Sequence, residues 1–186
     1  MRDLKKQENL KPTLLTDKTR LEEIYQLRVL AWEHTDYSKF INRQLFPYGF
    51  SDHLDNNGYH FIIENDKKEI IGSNRFNILH DLNDLTEPDF YCKFTYPQTR
   101  PFGFLSRLVI HPDYRGLKLS TKFDQAVIEF SRQKEICFSI VGIFIPGLNQ
   151  LTEKGFKVLG KADYSLFHDS KIDEGYVLIY ENSHEK

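Results

Sequence analysis

The chain has 186 residues, 40% hydrophobic and 14% aromatic, which is enough to bury one substantial core and too little for two full ones. A formal charge of −2 at pH 7 excludes the global basic field that gathers nucleic acid or coats an anionic membrane, so any anion site must be local. Cys92 and Cys137 have no CxxC or Cys/His spacing, which leaves neither a disulfide framework nor a metal site, and both are expected as buried reduced thiols.

The opening MRDLKKQENLKPTLL is charged and lacks the apolar run of a signal peptide. No segment approaches the roughly 18 apolar residues of a membrane span, so a cytoplasmic protein is expected. Residues 1–11 read as a frayed end and Thr13–Leu15 as a short edge strand. The sequence Thr19-Arg-Leu-Glu22 has the capping-box pattern, and Leu21, Ile24, Leu27 and Ala31 recur at helical spacing, predicting a helix to about His34. From Asp36 to Asn57 the pattern breaks at Pro47 and Gly49, with a short helix expected around Ser51–Asn57. This segment is rich in aromatics (Trp32, Tyr37, Phe40, Phe46, Tyr48 and Phe50 in and before it), which suit either a satellite core under a loop or the wall of an acceptor pocket.

Tyr59–Glu64 and Glu69–Ile78 are apolar runs joined by Asn-Asp-Lys-Lys, the chemistry of a hairpin turn. Residues 80–101 carry Pro88, Pro97 and Pro101 and read as a long loop or short helix. Phe104–Ile110 reads as a strand, and Leu119, Phe123, Ala126, Val127 and Phe130 share one helical face ending near Lys134. Ile136, Phe138 and Ile140 alternate as a strand. Asn149 to Lys154 reads as a short helix closed by Gly155, and Phe156–Phe167 with Tyr176–Ile179 reads as a final hairpin that could pair across a homodimer. The order predicts an α/β (α+β) fold: a mixed, mostly antiparallel sheet of about six to seven strands with helices on both faces, in one domain spanning residues 1–186.

The chemistry concentrates between Arg107 and Phe130, where a strand, a Pro-Asp turn, a short basic loop and a helix N-terminus would present unpaired N–H groups to a phosphate. Consecutive amides from Gly116 to Ser120, including Leu117 and Leu119, would face a diphosphate, with Arg115 and Lys118 supplying mobile charge. Free N–H and C=O groups at Leu108, Val109 and Ile110 could pair with an amide-bearing arm as another strand would.

Val109, Pro112, Tyr114, Arg115 and Gly116 match a strand and turn of the form V-x-P-x-Y-R-G, and on these residues the chain resembles the Gcn5-related N-acetyltransferases (GNAT). The segment from Asn149 to Gly155-Phe156 is similar to a later motif of that family. The resemblance implies an acyl-CoA N-acyltransferase that takes acetyl-CoA or another acyl-CoA, holds it partly through Asn149, and acylates a small-molecule amine. Three positions depart from the pattern. The family's loop glycines correspond to Lys118 and Ser120, and the tyrosine that commonly protonates the departing thiolate corresponds to Leu151. Tyr164 is the expected substitute, with Tyr48 and Tyr114 as other choices, and Glu64 or a carbonyl with water is the expected base. A narrower series (Asp52 and Asp55, Gly72 and Arg75, Ser106-Arg107) resembles the acyl-homoserine-lactone synthases and N-acyl amino acid synthases, except that Phe104 stands where those relatives carry glutamate. Arg75 and Arg107 could hold a substrate carboxylate or pair with acidic neighbours. His111 is expected as a turn residue and His60 as a sheet residue.

Overall fold

Two of the apolar runs become the hairpin the sequence foretells. In the computed structural model, which describes residues 10–35, 49–86, 88–162 and 175–182, β2 (Tyr59–Glu64) and β3 (Ile70–Leu79) flank a turn. Asn65 organises it: its carbonyl accepts from the Lys68 amide (3.0 Å), and its side-chain oxygen accepts from the amides of Lys67 (2.9 Å) and Glu69 (3.0 Å). β1 (Thr13–Leu14) adds antiparallel to β2, with Thr13 opposite Ile62.

Helix α1 (Leu21–Glu33) follows β1 in the chain. Its entry differs from the expected box. Asp17, not Thr19, is the capping side chain, accepting from the Thr19 amide (3.0 Å) and hydroxyl (2.6 Å) at the head of a 3-10 turn that runs into the helix. An aspartate two residues upstream competes successfully because a carboxylate is the stronger acceptor. Ile24, Leu27 and Ala31 of α1 bury against Ile62, Ile70 and Val109, each large aliphatic contributing about 1.5–3 kcal/mol.

The chain forms two compact units: residues 1–75 with 107–126, and residues 76–106 with 127–186. The first holds β1, β2, α1 and the hairpin core just described. The second is built on aromatics. Phe102, on β4 (Phe102–Ile110), stacks on Phe138 at 5.6 Å, and Tyr91 on the short helix α2 (Pro88–Tyr91) meets the Phe104 ring edge-on at 5.4 Å. Phe76 meets Phe130 of α3 (Leu119–Gln133) edge-on at 5.7 Å. β5 (Phe138–Phe144) runs parallel to β4 from Gly103↔Ser139 to Leu105↔Val141. β7 (Gly175–Glu181) lies antiparallel to β5 and to β6 (Lys157–Ala162).

The strand order is β1-β2-β3-β4-β5-β7-β6, a mixed and mostly antiparallel seven-stranded sheet, as expected. Several boundaries differ; β4 begins at Phe102, two residues before the expected Phe104. β5 begins two residues late and runs on to Phe144. Helix α4 (Ile145–Thr152) starts four residues before Asn149 because Pro146, which reads as a breaker, is acceptable in a first helical turn. Gly155, at φ +94°, follows it as expected. Among the described residues no helix is long and apolar enough to cross a membrane. Cys92 is exposed and Cys137 half-buried, so neither is the buried thiol expected.

Gly103 is fixed by proximity. A Cβ there would lie 2.3 Å from Ser139 Oγ and 2.5 Å from the Phe76 ring. Gly103→Ala should lower the unfolding free energy by about 1–3 kcal/mol in urea titrations, and an unchanged midpoint would mean this sheet face is loosely packed.

Candidate functional site

The site is built where β4 gives way to α3. The His111 amide donates to Ile71 O (2.8 Å), tying the turn to the hairpin, and His111 Nδ1 accepts from the Asp113 amide (3.2 Å). His111 is therefore a turn residue, as expected. The Tyr114 amide donates to His111 O (2.9 Å) and the Arg115 amide to Pro112 O (3.3 Å), closing a 3-10 turn. Asn65 Nδ2 donates to the Tyr114 hydroxyl (3.3 Å).

Beyond this anchored turn the pattern of bonding stops. Gly116 (φ +80°) and Lys118 (φ +55°) both lie in the left-handed region. The amides of Gly116, Leu117 and Lys118 make no backbone hydrogen bond to the described residues, and the first N–H groups of α3 lack intrahelical acceptors by helix geometry. Successive N–H groups in such a turn form a concave nest with positive potential, to which the helix dipole adds. Among the described residues a Cβ at Gly116 would meet nothing within 4 Å, so the loop is uncrowded on that side. Lys118 occupies the backbone conformation that glycine favours at a cost of about 1–2 kcal/mol, and it is exposed rather than packed into the loop. These donors fit a diphosphate. Leu108, Val109 and Ile110 continue β4 past its register with β5, Leu108 being exposed and Val109 buried.

Arg115 does not lend mobile charge to this nest. Its Nη1 donates to His34 O (2.9 Å) and its Nη2 to Ala31 O (2.5 Å), both at the end of α1.

The second feature of this unit is an ion network. The Arg28 guanidinium grips Asp55 with both ends at 2.8 Å. Arg75 Nη1 donates to Asp55 Oδ1 (2.7 Å) and Asp52 Oδ1 (2.5 Å), and Arg107 donates to Asp52 Oδ2 through Nε (2.9 Å) and Nη2 (2.8 Å). The carboxylates are placed by a capping box: the Asp52 side chain accepts from the Leu54 amide (3.0 Å) and Asp55 from the Asp52 amide (2.8 Å). Burial pushes both carboxyls up, but the guanidinium hydrogen bonds and charges outweigh it, holding Asp52 below its ordinary value and Asp55 well below the usual carboxylate range. Burial likewise pulls Arg28 below its ordinary value against the opposing pull of Asp55. The His60 imidazole donates from Nε2 to Asp55 O (2.9 Å), and burial keeps it neutral by lowering its pKa.

Among the described residues the ion pairs set three guanidiniums, Arg28, Arg75 and Arg107, against the two carboxylates Asp52 and Asp55. Both arginines read as substrate contacts pair with Asp52, and Arg75, which also pairs with Asp55, is the fully buried one. Arg107 stands at the open end, its side chain 16% exposed and stacked 4.6 Å over the Phe50 ring. Its φ of +58° marks a kink within β4 that re-aims the side chain. Sequence reasoning missed Arg28, although an arginine four residues after Ile24, inside an apolar stripe, is a usable signal.

Glu64 accepts from Arg20 Nη1 (2.7 Å), so a base role would require giving up that partner. Asn149 is exposed on α4 in the second unit and Leu151 is buried there. Tyr164, Tyr48, Tyr37, Phe40 and Phe46 lie outside the described residues. Among the described residues no cluster of metal-ligating side chains occurs.

Against known proteins, residues 21–144 match the family model described as "Acetyltransferase (GNAT) family". No curated protein sequence matches. Similar solved structures include a CoA-dependent acyl-homoserine lactone synthase, BjaI, with SAM and isopentyl-CoA (TM-score 0.72, 14% identity, covering 95% of this chain and 85% of that one). FeeM, an N-acyl amino acid synthase from uncultured soil microbes, aligns with TM-score 0.65 and 10% identity over 91% of this chain and 89% of its own. A Bacillus subtilis acetyltransferase in complex with CoA gives TM-score 0.60 and 13% identity over 94% of this chain and 100% of its own.

The network makes acid sensitivity predictable. Because the folded-state pKa values of Asp52 and Asp55 are depressed, their stabilisation is present above the unfolded carboxylate range and is lost as pH falls through the folded values. Unfolding free energy should therefore decline below about pH 4. Asp55→Asn should cost about 3–5 kcal/mol at pH 7 by leaving Arg28 buried without its counter-charge and Arg75 with Asp52 alone, and should flatten that acid limb. Equal denaturation midpoints for the two proteins would contradict the role assigned to the network.

Proposed function

The chain belongs to the acetyltransferase (GNAT) family, and from that premise we propose that it transfers an acyl group, most simply acetyl, from acyl-CoA to a small amine or amino-acid-like acceptor in a ternary complex. The observation that carries the donor side is the open nest of amides at Gly116, Leu117 and Lys118 leading into α3. Those N–H groups, with Leu119 and Ser120 at the helix start, hold the diphosphate, and the Lys118 ammonium adds charge from outside. Leu108, Val109 and Ile110 offer backbone groups to the pantetheine amides, and Asn149 is the contact proposed from the later motif. The family match draws on both compact units, in keeping with one acyltransferase domain.

The acceptor nitrogen must arrive neutral, and its attack on the thioester carbon breaks the C–S bond. With Glu64 held by Arg20, the acceptor proton leaves through water and a carbonyl rather than through that carboxylate. Tyr164 is proposed to return a proton to the thiolate. Arg107, the partly exposed end of the network, meets a carboxylate on the acceptor, while Arg75 holds Asp52 and so fixes Arg107.

A second reading has one specific observation in its favour. Asp52, Asp55, Arg75 and Arg107, the series shared with the acyl-homoserine-lactone and N-acyl amino acid synthases, come together in a single network. Against it, Phe104 is buried beside Tyr91 where a carboxylate would be needed. Comparing turnover of acetyl-CoA with that of long-chain acyl donors separates the two readings.

Isothermal titration should show acetyl-CoA binding, with acetyl-pantetheine, which lacks the diphosphate, at least about tenfold weaker. Lys118→Asp, an exposed change to a residue that tolerates left-handed backbone, should weaken acetyl-CoA by about tenfold or more, and Lys118→Asn by much less because the amides remain. No binding of acetyl-CoA at millimolar concentration to folded protein would reject the assignment.

Arg107→Met should raise KM for carboxylate-bearing acceptors by about tenfold or more while leaving acetyl-CoA affinity unchanged. An equal effect on uncharged amines would remove Arg107 from acceptor recognition.

A further inference from the structure

Arg115 directly precedes the nest, and the natural assumption for a loop cation is that it touches the phosphates. The geometry points elsewhere. Helix α1 ends without a glycine cap and with no basic residue in its last turn, so its terminal carbonyls must find donors from outside the helix or from its tail. The tail supplies some: His34 Nδ1 meets Leu30 O (2.9 Å), and the Thr35 amide (3.0 Å) and hydroxyl (2.7 Å) both donate to Trp32 O. Ala31 O and His34 O are taken by the Arg115 fork. The guanidinium also provides the positive charge that the helix C-terminus favours and α1's own sequence lacks.

We propose that Arg115 is a positioning residue that staples the end of α1 to the loop, so that the direction of the Gly116–Lys118 amides and the order of the last turn of α1 are one coupled property. The backbone side of the staple is equally fixed. The Arg115 amide is bonded to Pro112 O, and that turn is bonded through His111 to Ile71 and through Tyr114 to Asn65. A loop held at this residue by both its main chain and its side chain enters Gly116 with a set direction, and the three unbonded amides need not be ordered when an anion arrives. The staple connects two parts with different tasks. One is the nest; the other is the helix end at Thr35, from which the chain leads into residues 36–48. By linkage, a ligand that fixes the nest also firms the end of α1, and anything that firms the end of α1 tightens the nest by the same factor. That the ligand is acyl-CoA rests on the function proposed above; the staple itself does not.

Hydrogen–deuterium exchange on the full chain tests this without any turnover. In ligand-free protein, Arg115→Gln should speed exchange together in peptides covering residues 30–35 and 116–121, and Arg115→Lys, which keeps a cation but not the planar fork, should recover only part of the protection. Acetyl-CoA should slow exchange at residues 30–35 in the wild-type protein and leave it unchanged in Arg115→Gln, whose acetyl-CoA affinity falls. Unchanged exchange at residues 30–35 in both ligand-free variants would overturn the staple. So would an Arg115→Gln protein that loses acetyl-CoA affinity, recovers it fully in Arg115→Lys, and shows no change at the end of α1, because that is the behaviour of a direct phosphate contact. If wild-type protein fails to bind acetyl-CoA, the proposed function falls, and the ligand-free comparison alone decides the staple.

Discussion

Backbone amides that meet neither carbonyl nor side chain have to face water or an anion, and the rest of this structure follows from where the chain leaves them. At Gly116, Leu117 and Lys118 they stand between a turn bonded at every residue and the first turn of α3. Left-handed backbone at Gly116 and Lys118 turns successive N–H groups toward one side, at a local cost for the lysine that the anchored turn before it sustains. The sequence tolerates a lysine where glycine is the easier choice because the side chain stays in solvent and adds charge of the useful sign. The anchors around it, from Ile71 through Asn65 to the end of α1, make a rigid frame for a segment that has few bonds of its own.

The ion network does a different kind of work. Burying Arg28, Arg75 and Asp55 almost completely costs desolvation energy that their mutual attraction does little more than return. Its value lies in specificity. Asp52 and Asp55 share one capping box, so a single local turn sets both carboxylates, and through them the fork of Arg107 at the open end. The partly exposed guanidinium of Arg107 has its direction set by Asp52 and by the buried pairs behind it. In the proposed function, donor and acceptor recognition are handled by different means: main-chain amides for a diphosphate whose shape is constant, and a side-chain fork for an acceptor whose identity varies.

Much of the fold was legible before any coordinates. The Asn-Asp-Lys-Lys turn, the helical face from Leu119 to Phe130 and the strand–turn–loop pattern at Val109 to Gly116 are local signals, and local signals are carried by spacing. What escaped was non-local or competitive. Thr19 and Asp17 both offer caps, and spacing alone does not rank a hydroxyl against a carboxylate. Arg115 finds its carbonyls 81 and 84 positions away, and Glu64 finds Arg20 at a separation of 44; no motif encodes such pairings. Near the candidate site, the strand–turn–helix shape of the loop was readable from sequence, while the pairing of the arginines required the fold. Arg75, Arg107 and Arg115 are alike in one dimension, yet one is buried, one is half-open and one caps a helix.

A two-dimensional amide NMR titration with CoA puts the nest to the sharpest test, because each N–H of the loop reports for itself. The resonances of Gly116, Leu117 and Lys118 should undergo the largest downfield shifts in the spectrum as their protons take up phosphate oxygens. Saturating CoA that leaves those three resonances in place while others move would show that the anion binds elsewhere, and would contradict the assignment of these amides to the diphosphate.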